Sequence, residues 1–235
     1  MVQVISSQGS IPSPKAALAF QAFCSLTGDT SPATESLHRT VHVPKQANKK
    51  QASTTPQFKL VVEAPSRSRD PWGFEKASTE TIRSHNWSII ARDVPETTTS
   101  KQAPVVVSYS EQTSKLGWRS DARQTSQSLG YKPALDYRVE RVLFVYRSAS
   151  ANAVPIVSRV FRSLAPRDIA SPDSDWQLLD PSGTWIVDAS VTVENVTDRS
   201  AVAAATNALR RSATELKPVV ELCVTDRTAF DMRVR

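Results

Sequence analysis

The residues of this chain that could do chemistry are few and poorly grouped. His38, His42 and His85 are the histidines, with Cys24 fourteen positions before the first. A structural zinc site takes four Cys or His ligands at short spacings. Only Cys24, His38 and His42 lie near one another, no further Cys or His stands at short spacing from them and no HExxH pair is present, so no metal is expected. Nucleophilic catalysis needs a base beside a Ser or Cys. His85, followed by Asn86-Trp87 at the start of an apolar run, reads instead as a surface side chain, and Cys223 as a small apolar strand residue. Asp168, Asp173, Asp175 and Asp180 lie among Pro and Ser with no regular frame, as a solvated loop does. No catalytic residue and no cofactor is expected.

Glycine sharpens that exclusion. There are six, and no two lie within three positions of one another. Phosphate-cradling loops need closely spaced glycines so that the backbone can approach the ligand. GxGxxG is therefore impossible, and GxxxxGK[ST] and a GxSxG nucleophile elbow are absent. The common nucleotide enzymes and the α/β-hydrolases are ruled out.

Basic side chains interleaved with aromatics are better represented. Lys115, Trp118, Arg119, Arg123, Lys132, Arg138, Arg141, Arg147, Arg159 and Arg162 fall within one span, together with Tyr131 and Tyr146. Lysine and arginine neutralise phosphates, and aromatics stack on unpaired bases. The formal net charge is +6, and it is unevenly spread. Residues 1–60 carry net +4, 61–100 net −1, 101–167 net +7 and 168–235 net −4. Such segregation suggests a polyanionic partner, RNA or an anionic membrane surface, or self-association between unlike faces.

The elements that must position these residues follow from periodicity. Residues 1–56 read as a flexible basic tail rich in Ser, Thr, Pro and Gln, with one short helix near 14–26. Pro14 suits a first helical turn and Gly28 a stop. Phe20 and Phe23 share a face of that helix and are the candidate partner-binding residues.

Residues 57–235 read as a single α+β domain. Its N-terminal half is β-rich, with strands expected near 58–64, 87–91 and 105–109 and a polar loop from about 110 to 133. The C-terminal part reads as a β-α-β-α-β-β unit. Strands are expected at 137–147 and 185–193 and helices at 153–165 and 198–215. A closing hairpin is expected over 219–224 and 230–234. The helix at 153–165 rests on Val157, Val160, Phe161 and Leu164, spaced i, i+3, i+4, i+7. Asp180-Pro181-Ser182-Gly183 matches turn chemistry. Two cysteines near opposite ends favour a reducing compartment. No apolar run reaches the roughly twenty residues of a membrane helix, and no signal peptide is apparent.

A basic flexible tail before a compact α+β domain resembles the layout of matrix proteins of negative-strand RNA viruses, and the tail is shared with many viral coat proteins. No PPxY or PTAP motif accompanies it. The function expected is a non-enzymatic, self-associating structural protein of matrix or coat type, binding a polyanion as a homo-oligomer. Its location would be intracellular, in the cytoplasm or a virion. The alternative is an intracellular adaptor that takes protein partners through its N-terminal tail.

Overall fold

The computed structural model describes residues 2–45, 59–66, 87–92, 96–97, 107–116, 122–147, 154–166, 176–195 and 197–223. Ten strands form one sheet: β1 (Val2–Ile11), β2 (Ala33–Pro44), β3 (Leu60–Ser66), β4 (Ser88–Arg92), β5 (Glu96–Thr97), β6 (Val107–Lys115), β7 (Tyr131–Tyr146), β8 (Ile156–Pro166), β9 (Trp176–Leu178) and β10 (Trp185–Val193). The spatial order is β1-β10-β8-β7-β2-β3-β4-β6, and β6 pairs back onto β1. Every pairing is antiparallel. Eight strands therefore close a barrel, with β5 appended to β6 and β9 to β8. Closure leaves none of the eight as a terminal strand.

Register assigns the two faces. Ile5, Val142, Phe144, Ile156, Val160, Val187, Ala189, Val191 and Val193 share one face and form the main core with α1 (Ala16–Thr27) and α3 (Arg199–Leu216). A helix with its side chains is about 10–12 Å across, whereas eight strands enclose room for little more than side chains. The helices must lie outside, so the opposite face is the lumen.

Local chemistry explains the helices. A 3-10 turn over Ser13–Lys15, with Pro14 in it, leads into α1, and Gly28 ends the helix at φ 69°. Glycine takes this left-handed conformation without a Cβ penalty. Phe23 is 1 % exposed and stacks on Phe144 at 5.0 Å between centroids, while Phe20 meets Trp185 edge-on at 5.2 Å. Asp198 caps α3, accepting from the backbone N–H of Ser200 at 2.9 Å and of Ala201 at 3.1 Å. The Ser200 hydroxyl, donating to the same carboxyl at 2.6 Å, does most to hold it below the usual range, ahead of the backbone N–H of Ala201. Ala205, Leu209, Ser212 and Leu216 form the buried stripe. The short α2 (Ala122–Ser128) seals the outer face of β2 and β7, where the Ser126 hydroxyl is 2.8 Å from His42 Nδ1.

The α+β expectation is corrected in four places. The protein is an antiparallel barrel with few helices, not a β-α-β-α-β-β unit behind a β-rich half. The basic tail does not exist as such, because β1 and β2 are barrel strands lying within residues 1–56. The described part of the expected helix at 153–165, residues 154–165, is not helical. In β8, Val157 and Phe161 face the lumen while Val160 and Leu164 face outward, so the apparent helical stripe is divided between the two sides of a strand. The expected polar loop is in part strand β6, extending to Lys115, and helix α2.

Of the closing hairpin, residues 219–223 run beside β1 rather than forming a strand of the sheet. Gln8 and Cys223 exchange backbone bonds of 3.1 and 2.7 Å there. Residues 224–235 lie outside the described ones. Gly9 permits this approach, since a Cβ would lie 2.7 Å from both the Glu221 carbonyl oxygen and Val220 Cγ2.

Candidate functional site

Strand alternation places one charged residue of each of several pairs on neighbouring strands, all facing the lumen. Arg39 of β2 donates to Glu63 of β3 at 2.6 Å. Arg141 of β7 donates through Nε to Glu35 of β2 at 3.0 Å. Arg92 of β4 donates to Glu111 of β6 at 2.9 Å. Arg159 of β8 donates to the Ser190 hydroxyl at 2.6 Å and lies 4.0 Å from Asp188 of β10. Leu37 and Val139 are buried among them, and Val4 packs with Tyr109 further round the wall. The interior is thus a charged, mutually neutralised lining with apolar patches.

Its electrostatics centre on Asp188. Burial raises the Asp188 carboxyl above the ordinary range, against the opposing pull of Arg159 and Arg92. Burial also pushes the Tyr109 phenol up to about 12. For Arg92, burial acts downward, but Tyr109, Glu111 and Asp188 more than offset it. The guanidinium also sits over the Tyr109 ring, 5.3 Å from its centroid.

A second grouping lies outside the barrel. His38 Nε2 pairs with Asp136, and its ring lies 5.9 Å from Trp87 and 6.3 Å from Trp176. The Arg138 guanidinium covers Trp176 at 4.1 Å, which fastens the short β9 against the barrel wall. Burial lowers the Arg138 pKa, with Asp136 opposing.

The basic residues singled out from sequence are not assembled into one surface. Arg141 and Arg159 face the lumen, as above. Arg162 is outside, paired with Glu140 and stacked 4.7 Å over Trp185. Arg138 is occupied by Trp176. Lys115, Lys132 and Arg147 are exposed at strand ends. Trp118 and Arg119 lie outside the described residues, as does the side chain of Arg123. Phe20 and Phe23 pack on their own core, so α1 is docked rather than offered. His85, Asp168, Asp173 and Asp175 also lie outside the described residues, and Asp180 is engaged in its turn with Ser182. Cys24 and Cys223 are free thiols, and Cys223 is exposed rather than buried.

Among the described residues no group of three His, Cys, Asp or Glu could hold a metal. No described helix is long and apolar enough to cross a membrane. Asp188, Arg92, Tyr109 and Glu111 were not legible as a group. The signal was present as Asp188 between apolar neighbours in β10 and Arg92 at the end of apolar β4, but without the closure these read as solvent-facing, and Glu111 sits among polar residues in β6.

Comparison with known proteins decides the family. A family model described as Med18 protein matches residues 3–233. The chain belongs to the Med18 family. A Yarrowia lipolytica relative, "Mediator of RNA polymerase II transcription subunit 18", is 29% identical over 247 residues, covering all of both chains. A chain in the structure of the Schizosaccharomyces pombe Mediator head module has the same fold, with a TM-score of 0.69 at 17% identity, covering 94% of this chain and 97% of that one.

Family membership overturns the matrix or coat reading and the polyanion and homo-oligomer partners attached to it. Charge segregation suggested a polyanion because a summed charge does not reveal which arginines already have acidic partners. Med18 proteins are structural Mediator subunits and not enzymes, so the non-enzymatic reading stands. Membership also places the chain inside the cell, and the virion falls away.

Proposed function

We propose that this chain is a structural subunit of a Mediator head module, working in the nucleus as a rigid protein-docking body in RNA polymerase II transcription. The family match over nearly the whole chain carries this reading. The full-length coverage of the Yarrowia relative and the fold shared with a head-module chain support it.

The physics of the barrel suits the role. A closed sheet braced on its outer face by α1 and α3 has few soft modes and no terminal barrel strand to invite promiscuous pairing. The adaptor role assigned to a loose N-terminal tail is replaced by docking through the folded body, because 2–44 is part of the barrel and its covering helix.

Co-expression of the tagged chain with the head-module subunits of its own species tests the reading. Stoichiometric co-purification that survives a gel-filtration column is the expected result. A chain that stays alone at micromolar concentration with every head subunit would overturn it.

A further inference from the structure

The face of β2 that carries Arg39 continues through Val41 and Val43 to Lys45, just past the end of the strand. Val41 lies between Val61 of β3 and Leu135 of β7, and Val43 pairs with Lys132 of β7. On the other side of Val43 comes Lys59, one residue before Leu60, which pairs with His42. A bond of 2.8 Å from the Lys45 backbone N–H to the Gly130 carbonyl extends the same ladder. Lys45, Lys59 and Lys132 therefore crown one end of the barrel on its lumen side, above a floor of Val41, Val43, Val61 and Leu135. Lys45 and Lys132 are exposed and Lys59 half-buried, and Leu135 is 51 % exposed.

The charge at this end is uncompensated. Neighbouring strands lie about 4.8 Å apart, so the backbones of Lys59 and Lys132, on either side of β2, are separated by about 10 Å. That is within a Debye length at about 0.1 M salt, and the ammonium groups repel one another. Arg39, Arg92, Arg141 and Arg162 each pair with a glutamate. None of the three lysines has an acidic partner among the described residues. Nor does the adjoining sequence supply one: no Asp or Glu occurs between Glu35 and Glu63 or between Asp121 and Asp136, while Lys49 and Lys50 add to the charge. An acidic partner would relieve this repulsion, and the apolar floor decides its class. Nucleic acid would pair its phosphates with the lysines and leave Leu135 and the valines uncovered. Tyr131, beside Lys132, packs on the opposite face against the Leu60–Trp87 core, so no base can stack on it there.

We propose that this end of the barrel docks an acidic peptide segment of a protein partner, its carboxylates pairing with Lys45, Lys59 and Lys132 and an apolar side chain seated on Leu135, Val41 and Val43. The proposal gives the docking role above a face and a class of partner. Its test involves no Mediator subunit, so it succeeds or fails apart from that role.

The test is fluorescence anisotropy of the full chain with a short labelled peptide in which Asp and Leu alternate. Saturable binding is expected, weakening several-fold as ionic strength rises from about 0.05 to about 0.5 M. The same peptide with Asn for Asp, or with Ser for Leu, should bind about tenfold more weakly. Lys45→Ala, Lys59→Ala and Lys132→Ala together should weaken the Asp-Leu peptide about tenfold, and Leu135→Ser by about as much. Arg210→Ala with Lys217→Ala, exposed at the far end of α3 and beyond it, is the control and should leave binding unchanged. The lysine variant removes only repulsive charges, so its thermal midpoint should not fall; if it fails to fold, the exposed Lys132→Glu decides alone. Three results would overturn the proposal: no saturable binding, binding indifferent to the lysines or to the Asp-to-Asn exchange, or a uridine-rich RNA displacing the labelled peptide as strongly as unlabelled peptide does. The last would mean that the lysines recognise phosphate.

Discussion

Replacing Phe23 by alanine tests whether the first helix is a structural member of the barrel. Phe23 is closed off from solvent, stacked on Phe144 with the rings inclined by 23°, and flanked by Ala19 in the same core. Removing a buried phenylalanine costs about 3–5 kcal/mol when its surroundings relax only partly. Stacking contributes about 0.5–1.5 kcal/mol of this beyond burial. Because the partner ring belongs to the 16-residue strand β7, which is held on both sides, little collapse is available. The loss should therefore sit near about 4 kcal/mol.

A chain of this size loses about 2–4 °C per kcal/mol, so the midpoint should fall by about 8–16 °C. Leu18→Ala is the control. Leu18 is 61 % exposed on the same helix, and its loss should stay within about 0.5 kcal/mol. The assay is urea and thermal unfolding followed by circular dichroism on both variants. Equal small shifts for both would refute the reasoning, since that is how a helix on a loose tail behaves.

Three further outcomes are expected. Asp188→Asn should stabilise the chain at neutral pH. The raised folded pKa means that the native carboxyl favours its proton, so wild-type stability is complete below about pH 4 and is lost as pH rises through the folded pKa. The variant should match wild type in acid and exceed it above, and urea titrations across pH showing no gain at neutrality would contradict the burial argument. Gly9→Ala should cost about 1–3 kcal/mol by overpacking, because its Cβ meets the Glu221 carbonyl oxygen, and faster proteolysis beyond Leu216 should accompany the loss. Asp198→Ala should cost about 1 kcal/mol through the lost cap. It should appear as a lower thermal midpoint, and an unchanged midpoint would mean that α3 is held by packing alone.

Legibility differed sharply between kinds of element. The helix at 199–216 and its cap were readable because both signals are local: an apolar stripe at helical spacing, and a carboxylate just before the first turn. The strand at 185–193 was equally clear, since Val187, Ala189, Val191 and Val193 all point to the same helix-covered face. β1 was hidden because its lumen side includes Ser6 and Gln8 and its outer side includes Ser7 and Gly9, which break up the apolar pattern. β8 was misassigned because apolar residues on both sides of a strand can fall by chance at helical intervals. The lumen cluster was invisible for a related reason. A charged residue alternating with apolar ones has the same pattern whether its side of the sheet meets water or closes on itself.

What the sequence by itself determined is the negative chemistry and the locally encoded elements. Six scattered glycines forbid the common phosphate loops, and periodicity and capping place α3 and β10. Only the tertiary structure decided that residues 2–11 complete the barrel between β10 and β6, and therefore which face is interior and where each arginine finds its acid. The reason is distance along the chain. Gln8 meets Asp188 across most of its length, and Ser6 meets Val107 across nearly half of it. Pairings of that range arise from the mutual fit of eight strands, not from any window of residues.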